Sequence, residues 1–169
     1  MKSNIALIGF MGTGKTMVGK ALAKKLNRQF IELDSMIEQK VGKPITDIFE
    51  QDGESTFREL EIDVTREVSL QENVVIAGGG GIVLNQINID RLRQKATIVY
   101  LTAAPAVILK RVTGDDSERP LLKTANPAVA IQELLKFRRP FYERAADIKI
   151  NTSKLSADAV ADKIIEQLS

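Results

Sequence analysis

The chain has 169 residues, 44% of them apolar and 27% charged, enough for one domain with a sizeable core and ordinary for a soluble globular protein. It contains no cysteine and no histidine, which excludes disulfides, thiolate zinc sites, cysteine nucleophiles and histidine bases; carboxylates, Lys, Arg, hydroxyls, backbone N–H groups and a hard metal remain. A formal net charge of +2 with no long basic run argues against a nucleic-acid partner, and no apolar stretch has the length of a membrane span or a signal peptide, so a cytoplasmic protein is expected.

Along the chain, apolar strand-like runs alternate with amphipathic helical ones. A strand over 4–10 (NIALIGF) leads through a glycine loop into a helix over 15–26, and a strand over 29–33 precedes helical segments at 35–42 and 54–70. A strand over 73–77 runs into four glycines, and a helix over 86–94 precedes a strand over 96–101. Helices over 104–112 and 127–144, a strand over 147–151 and a helix over 157–168 with Ser156 as its N-cap complete the pattern. This is the signature of a single α/β domain, residues 1–169, with a mainly parallel sheet wrapped by helices. Two segments break the alternation. Residues 34–70 place several helical pieces where one crossover helix would suffice, and 113–125 (TGDDSERPLLKTA) is polar, carries Gly and Pro, and contains Arg119. Insertions of this kind on a rigid sheet tend to carry ligand contacts.

The first glycine loop, GFMGTGKT (9–16), fits G-x-x-x-x-G-K-[ST] and has a strand before it and a helix after it. Gly9, Gly12 and Gly14 let successive N–H groups point inward at phosphate oxygens, and the following helix aims its N-terminal dipole at the same anion. Lys15 can reach the β- and γ-phosphates and the Thr16 hydroxyl can ligate Mg²⁺, so Gly12, Thr13, Gly14, Lys15, Thr16 and Met17 are the expected nucleotide contacts. The central strands do not end in an acid; the second does, in FIELD, with Glu32 and Asp34. Glu32 can serve the Mg²⁺ water shell and Asp34 can accept from a substrate hydroxyl; the plainer alternative makes Glu32 a solvated edge residue and Asp34 the cap of the next helix.

The second loop, Gly78 to Gly81, lacks the Lys-Ser/Thr that a triphosphate site needs. It suits a bare floor on which a small acceptor lies against the backbone, or else a tight turn that demands positive φ. Downstream of DGES, the stripe Phe57, Leu60, Val64, Val68 predicts a core-facing helix; Arg58 lies beside it with Glu54 and Glu61 in reach, either as a surface ion pair or as a guanidinium oriented by Glu61 toward an anion. Arg138 and Arg139 stand just before Pro140, where a kink is expected, and two arginines from separate segments suit a carboxylate.

Taken in order, the P-loop, the acids after strand two, DIFEQDGESTFRELE, AGGGG, RPLL and RRPFYE resemble the shikimate kinases over essentially the whole chain. The resemblance implies the nucleoside monophosphate kinase fold: a five-stranded parallel sheet, a substrate-binding insertion at about 34–61 and a mobile lid at about 113–125. It implies transfer of the γ-phosphoryl group of ATP, with Mg²⁺, to the 3-hydroxyl of shikimate in aromatic amino-acid biosynthesis. By position, Asp34 matches the aspartate that binds the shikimate hydroxyls and serves as candidate base. Arg58, supported by Glu61, and Arg138 match the arginines that hold its carboxylate, and Gly78, Gly79 and Gly80 match the glycine triplet beneath it. Lys15 and Arg119 would meet the transferring phosphoryl group, Arg111 the adenine, and Thr16 with Glu32 (through water) the metal. The family usually has aspartate at position 32, and NTSKLSAD lacks the Arg and Pro often found in its adenine loop, where contacts around Thr152 to Lys154 are expected. Shikimate and ATP are the expected partners of a monomer. The rival readings are a gluconate or nucleoside monophosphate kinase, and a nucleotide-binding regulatory module without transfer.

Overall fold

The computed structural model describes residues 2–113 and 126–169. Five strands, β1 (Asn4–Ile8), β2 (Gln29–Glu32), β3 (Val74–Ala77), β4 (Ala96–Thr102) and β5 (Ile148–Asn151), form one parallel sheet in the order β2-β3-β1-β4-β5. Helices α1 (Lys15–Leu26), α2 (Leu33–Val41), α3 (Ile45–Gln51), α4 (Glu54–Ser69), α5 (Gln86–Arg93), α6 (Pro105–Thr113), α7 (Pro127–Ala145) and α8 (Ala157–Leu168) cover its faces. All of β1 is buried, which explains why Ile5 to Ile8 read as a continuous apolar run rather than an alternating one. Its side chains still alternate by face. Ile5 and Leu7 pack with Val18 and Leu22 of α1 and with Val160 and Ile164 of α8, whereas Ala6 and Ile8 join the larger core with Phe57, Val64 and Val68 of α4 and Tyr142 of α7.

From the carboxyl end of β1 the chain turns toward β2, and from that of its neighbour β3 it turns the other way toward β4, which opens a crevice between them, the place where sheets of this kind bind ligands. The insertion between β2 and β3 consists of α2, α3 and α4. α3 is an element that the helical reading of the sequence passed over: Ile45, Ile48 and Phe49 have the spacing of a single amphipathic turn, and only Ile48 is fully buried.

Three local expectations meet the structure directly. Ser156 caps α8, accepting from the Ala159 N–H at 3.1 Å. Asp34 does not cap the helix after β2: Leu33, fully buried, already belongs to α2, so Asp34 sits inside the first turn. The kink expected at Pro140 does not end the helix, since α7 runs unbroken from Pro127 to Ala145. Pro140 and Lys136, whose carbonyl loses its partner, are both exposed, so water can take the place of the missing N–H.

Candidate active site

After Ile8 the chain leaves the sheet and curls. Gly12 (φ 77°) and Gly14 (φ 96°) take left-handed conformations that side-chain-bearing residues rarely adopt. The loop braces itself through buried Thr13, whose hydroxyl donates to the Phe10 carbonyl at 2.7 Å. α1 starts at Lys15 with no side-chain cap, so its positive amino end is left open to an anion. Lys15 Nζ donates to the Gly9 and Phe10 carbonyls at 2.6 and 2.9 Å, which holds the ammonium over the loop. Met17, exposed, lines the rim of the crevice.

Glu32 is no idle edge residue. Its carboxylate accepts from the Thr16 hydroxyl and, at 2.7 Å, from Ser35 Oγ, so it touches the hydroxyl expected to ligate a metal. Hard oxygen donors side by side fit Mg²⁺. Among the described residues no cluster of three acidic ligands exists, so phosphates and water would supply the rest of its shell. On the other flank, Arg111 donates to the Gly12 carbonyl (3.0 Å) and to both Oγ1 (3.2 Å) and the carbonyl (3.0 Å) of Thr152. The hydroxyl of buried Thr152 has its one proton within reach of the carbonyls of Thr13 (2.9 Å) and Thr102 (3.0 Å), tying the P-loop to the ends of β4 and β5. Lys154 is exposed and does not line the crevice. Arg119, with the rest of 114–125, lies outside the described residues.

The glycine run after β3 has no positive φ at any of its four positions, which removes the tight-turn explanation. Space explains them instead. A Cβ on Gly79 would stand 2.7 Å from Asp34 Oδ1 and 3.1 Å from Glu61 Oε2; one on Gly80, 3.4 Å from Arg138 Nη1; one on Gly81 would overlap the Arg58 guanidinium. Gly78 differs: its N–H donates to the Leu7 carbonyl at 3.0 Å and its Cα faces Ile82. The three glycines that face polar side chains are thus Gly79, Gly80 and Gly81, one step along from the expected triplet. Gly81 belongs to the floor read from the sequence, though not to the triplet that the resemblance implied, and Gly78 lines the crevice with the other three. Among the described residues no protein group accepts from the N–H of Gly79, Gly80 or Gly81.

Arg58 bonds Glu61 (3.1 Å) and Glu54 (3.2 Å), and its guanidinium carbon lies 5.2 Å from the centre of the Phe57 ring. With 13% of its side chain exposed and none of Glu61's, this is not a surface ion pair. Burial, against the opposing charge of Arg58, pushes the Glu61 carboxyl up to about 7. Burial likewise raises Asp34, with Lys15 pulling the other way. Asp34 Oδ1 and Glu61 Oε2 are buried without a hydrogen-bond partner, as is Nε of Arg138, whose side chain α7 buries at the crevice. Arg139, one residue on, is exposed and turns to a separate groove with Glu143 and Lys149. The crevice of about 950 Å³ spans both regions and adds an apolar wall from Ile45, Phe49 and Phe57.

A triphosphate cradle and a basin of unsatisfied acceptors and guanidiniums within one crevice define a class: a P-loop phosphotransferase for a small anionic acceptor that bears hydroxyls. The likeness to known proteins is more specific. A sequence model of the shikimate kinase family matches residues 11–169. The chain is 45% identical over 164 residues to a shikimate kinase of Thermodesulfovibrio yellowstonii, covering 97% of this chain and 94% of that one. It is 47% identical to one of Caldicellulosiruptor bescii, covering 96% and 93%. Its fold matches a shikimate kinase from Acinetobacter baumannii in complex with shikimate, at TM-score 0.95 and 39% identity, over 99% of this chain and 93% of that one. The chain belongs to the shikimate kinase family.

Proposed function

We propose that this protein transfers the γ-phosphoryl group of ATP to the 3-hydroxyl of shikimate, giving ADP and 3-phosphoshikimate. The observation that carries the reading is the pair of unpartnered buried oxygens, Asp34 Oδ1 and Glu61 Oε2, both against Gly79, in a crevice that Arg58 and Arg138 also line. Acceptor oxygens left bare by the protein call for hydroxyl donors, and paired guanidiniums call for a carboxylate; shikimate supplies both.

In this reading the ATP phosphates lie on the P-loop N–H groups and the amino end of α1, and Lys15 exchanges its loop carbonyls for phosphate oxygens. Arg58 and Arg138 hold the shikimate carboxylate. Asp34 aligns the 3-hydroxyl, whose oxygen bonds to the γ-phosphorus as the bond from that phosphorus to the β-bridging oxygen breaks. Asp34 takes the hydroxyl proton, a role that its raised pKa suits. Thr16, with Glu32 accepting from its hydroxyl, would hold Mg²⁺, which would supply charge neutralisation on the phosphates. Arg119 adds a second cation there, on the strength of the family resemblance. Most of the rate enhancement is positioning and charge stabilisation, as phosphoryl transfer requires.

The test is ADP release with Mg-ATP in the presence of shikimate, gluconate or AMP. ADP with shikimate alone, lost in Lys15→Ala, is the expected result. Release with another acceptor would keep the P-loop and overturn the acceptor basin, and no release with any would favour a regulatory module. The reading extends to a cytoplasmic monomer, which fractionation and light scattering would check; among the described residues no helix is long and apolar enough to cross a membrane.

A further inference from the structure

Four consecutive glycines are the most flexible stretch a chain can place beneath a ligand, so a floor made of them needs anchors. Backbone bonds supply several: Gly78 donates to Leu7, the Gly79 carbonyl accepts from Ile82 at 3.1 Å, and the Gly81 carbonyl accepts from Leu84 at 3.1 Å. The Gly80 carbonyl is held differently, by the hydroxyl of Tyr142 on α7. Tyr142 is fully buried, its ring stacked on Tyr100 with centroids 5.1 Å apart and planes 26° from parallel. It does not line the crevice. Arg138, one helical turn earlier, lies 3.4 Å from where a Cβ on the same glycine would stand, and its guanidinium also acts directly on the Tyr142 hydroxyl.

We propose that Tyr142 is a positioning residue for the acceptor half of the crevice. The carbonyl it grips shares a rigid peptide plane with the N–H of Gly81, so fixing one fixes the other. Gly81 is also the seat of the Arg58 guanidinium. One hydroxyl thereby sets the floor, the direction of one of its free N–H groups, and the spacing between Arg58 on α4 and Arg138 on α7. Packing alone does not require that hydroxyl, because a phenylalanine would preserve the stack on Tyr100.

The test is Tyr142→Phe, read in two ways. One readout rests on the proposed shikimate reaction: KM for shikimate should rise about tenfold, the weight of one hydrogen bond, while kcat and KM for ATP stay put. The other does not depend on the acceptor: in the ligand-free protein, amide exchange should quicken in peptides spanning 78–84 and stay unchanged in those spanning 9–16. An unchanged KM in an enzyme that turns shikimate over would overturn the proposal. So would a parallel loss of kcat and both KM values with a lowered Tm, the mark of a packing role alone. If wild-type protein fails to turn shikimate over, the functional reading falls separately, and unchanged exchange in 78–84 then overturns the role of Tyr142.

Discussion

Asp34 and Glu61 place carboxyl groups where the fold supplies too few donors, and that tension has a sign. Both carboxyls are raised by burial, so the folded chain holds their protons more tightly than the unfolded chain does. Their contribution to stability is therefore present at low pH and is lost as pH rises, for Glu61 across the window from 4.5 to about 7. Arg58, Arg138 and Asp34 face Glu61 and set the remaining balance. That shift corresponds to about 3 kcal/mol over the window. Glu61→Gln should flatten the fall in unfolding free energy between pH 5 and pH 8 relative to wild type, measured by urea titration at both; an unaltered slope would remove Glu61 as its source. Asp34→Asn should go further and separate the two demands on this site. Its unfolding free energy should fall less from low to high pH than wild type's, since an amide cannot titrate, while kcat falls about 10²–10⁴-fold, the usual weight of a general base. Wild-type turnover in that variant would strip Asp34 of its role.

The glycine run shows what an element carries beyond its backbone. All four glycines have ordinary φ, so replacing them tests space alone. Gly79→Ala should push Asp34 and Glu61 aside, and Gly81→Ala should displace Arg58; each should lower kcat/KM for shikimate about 100-fold, the effect of an ångström-scale misplacement. Gly78→Ala meets Cδ1 and Cγ2 of buried Ile82 at 3.1 Å and no polar side chain, so it should cost stability more than shikimate recognition, and ATP affinity should survive in all three. Equal losses in all three would mean that the run needs flexibility rather than room. This difference between glycines also marks where the sequence stopped being legible. The P-loop announces itself because its chemistry is local, and β1 and β4 announce themselves as apolar runs. Which of four identical residues faces which side chain depends on α2, α4 and α7 arriving from distant parts of the chain. For the same reason Arg58 and Glu61, three residues apart on an acidic helix, could be read as a surface pair until the sheet closed over them. α3 escaped because seven residues give too few apolar positions to establish a period, and Asp34 was open to reading as a cap because nothing local shows that Leu33 is buried enough to enter the helix first.

At the scale of the molecule, the sheet order places the end of β1 between its neighbours, and the turn from β2 into α2 joins the two halves of the crevice. Glu32 faces the Thr16 hydroxyl of the nucleotide half, whereas Asp34, two residues on, faces Gly79 and the acceptor half. One short segment thus serves both substrates, and its two acids should be separable by experiment. Glu32→Ala removes the acceptor behind Thr16 and leaves Ser35 Oγ without its partner; it breaks no hydrogen bond in the basin around Arg58 and Arg138, where it acts only through its charge on Asp34. The Mg²⁺ concentration for half-maximal rate should rise about 10–100-fold, as for loss of a partner that orients a metal ligand, with KM for shikimate within about twofold of wild type. A metal titration at saturating ATP, repeated over a series of shikimate concentrations, resolves the two quantities. If the Mg²⁺ requirement is unchanged and KM for shikimate rises instead, Glu32 belongs to the acceptor half, and the division of labour across the β2–α2 turn is wrong.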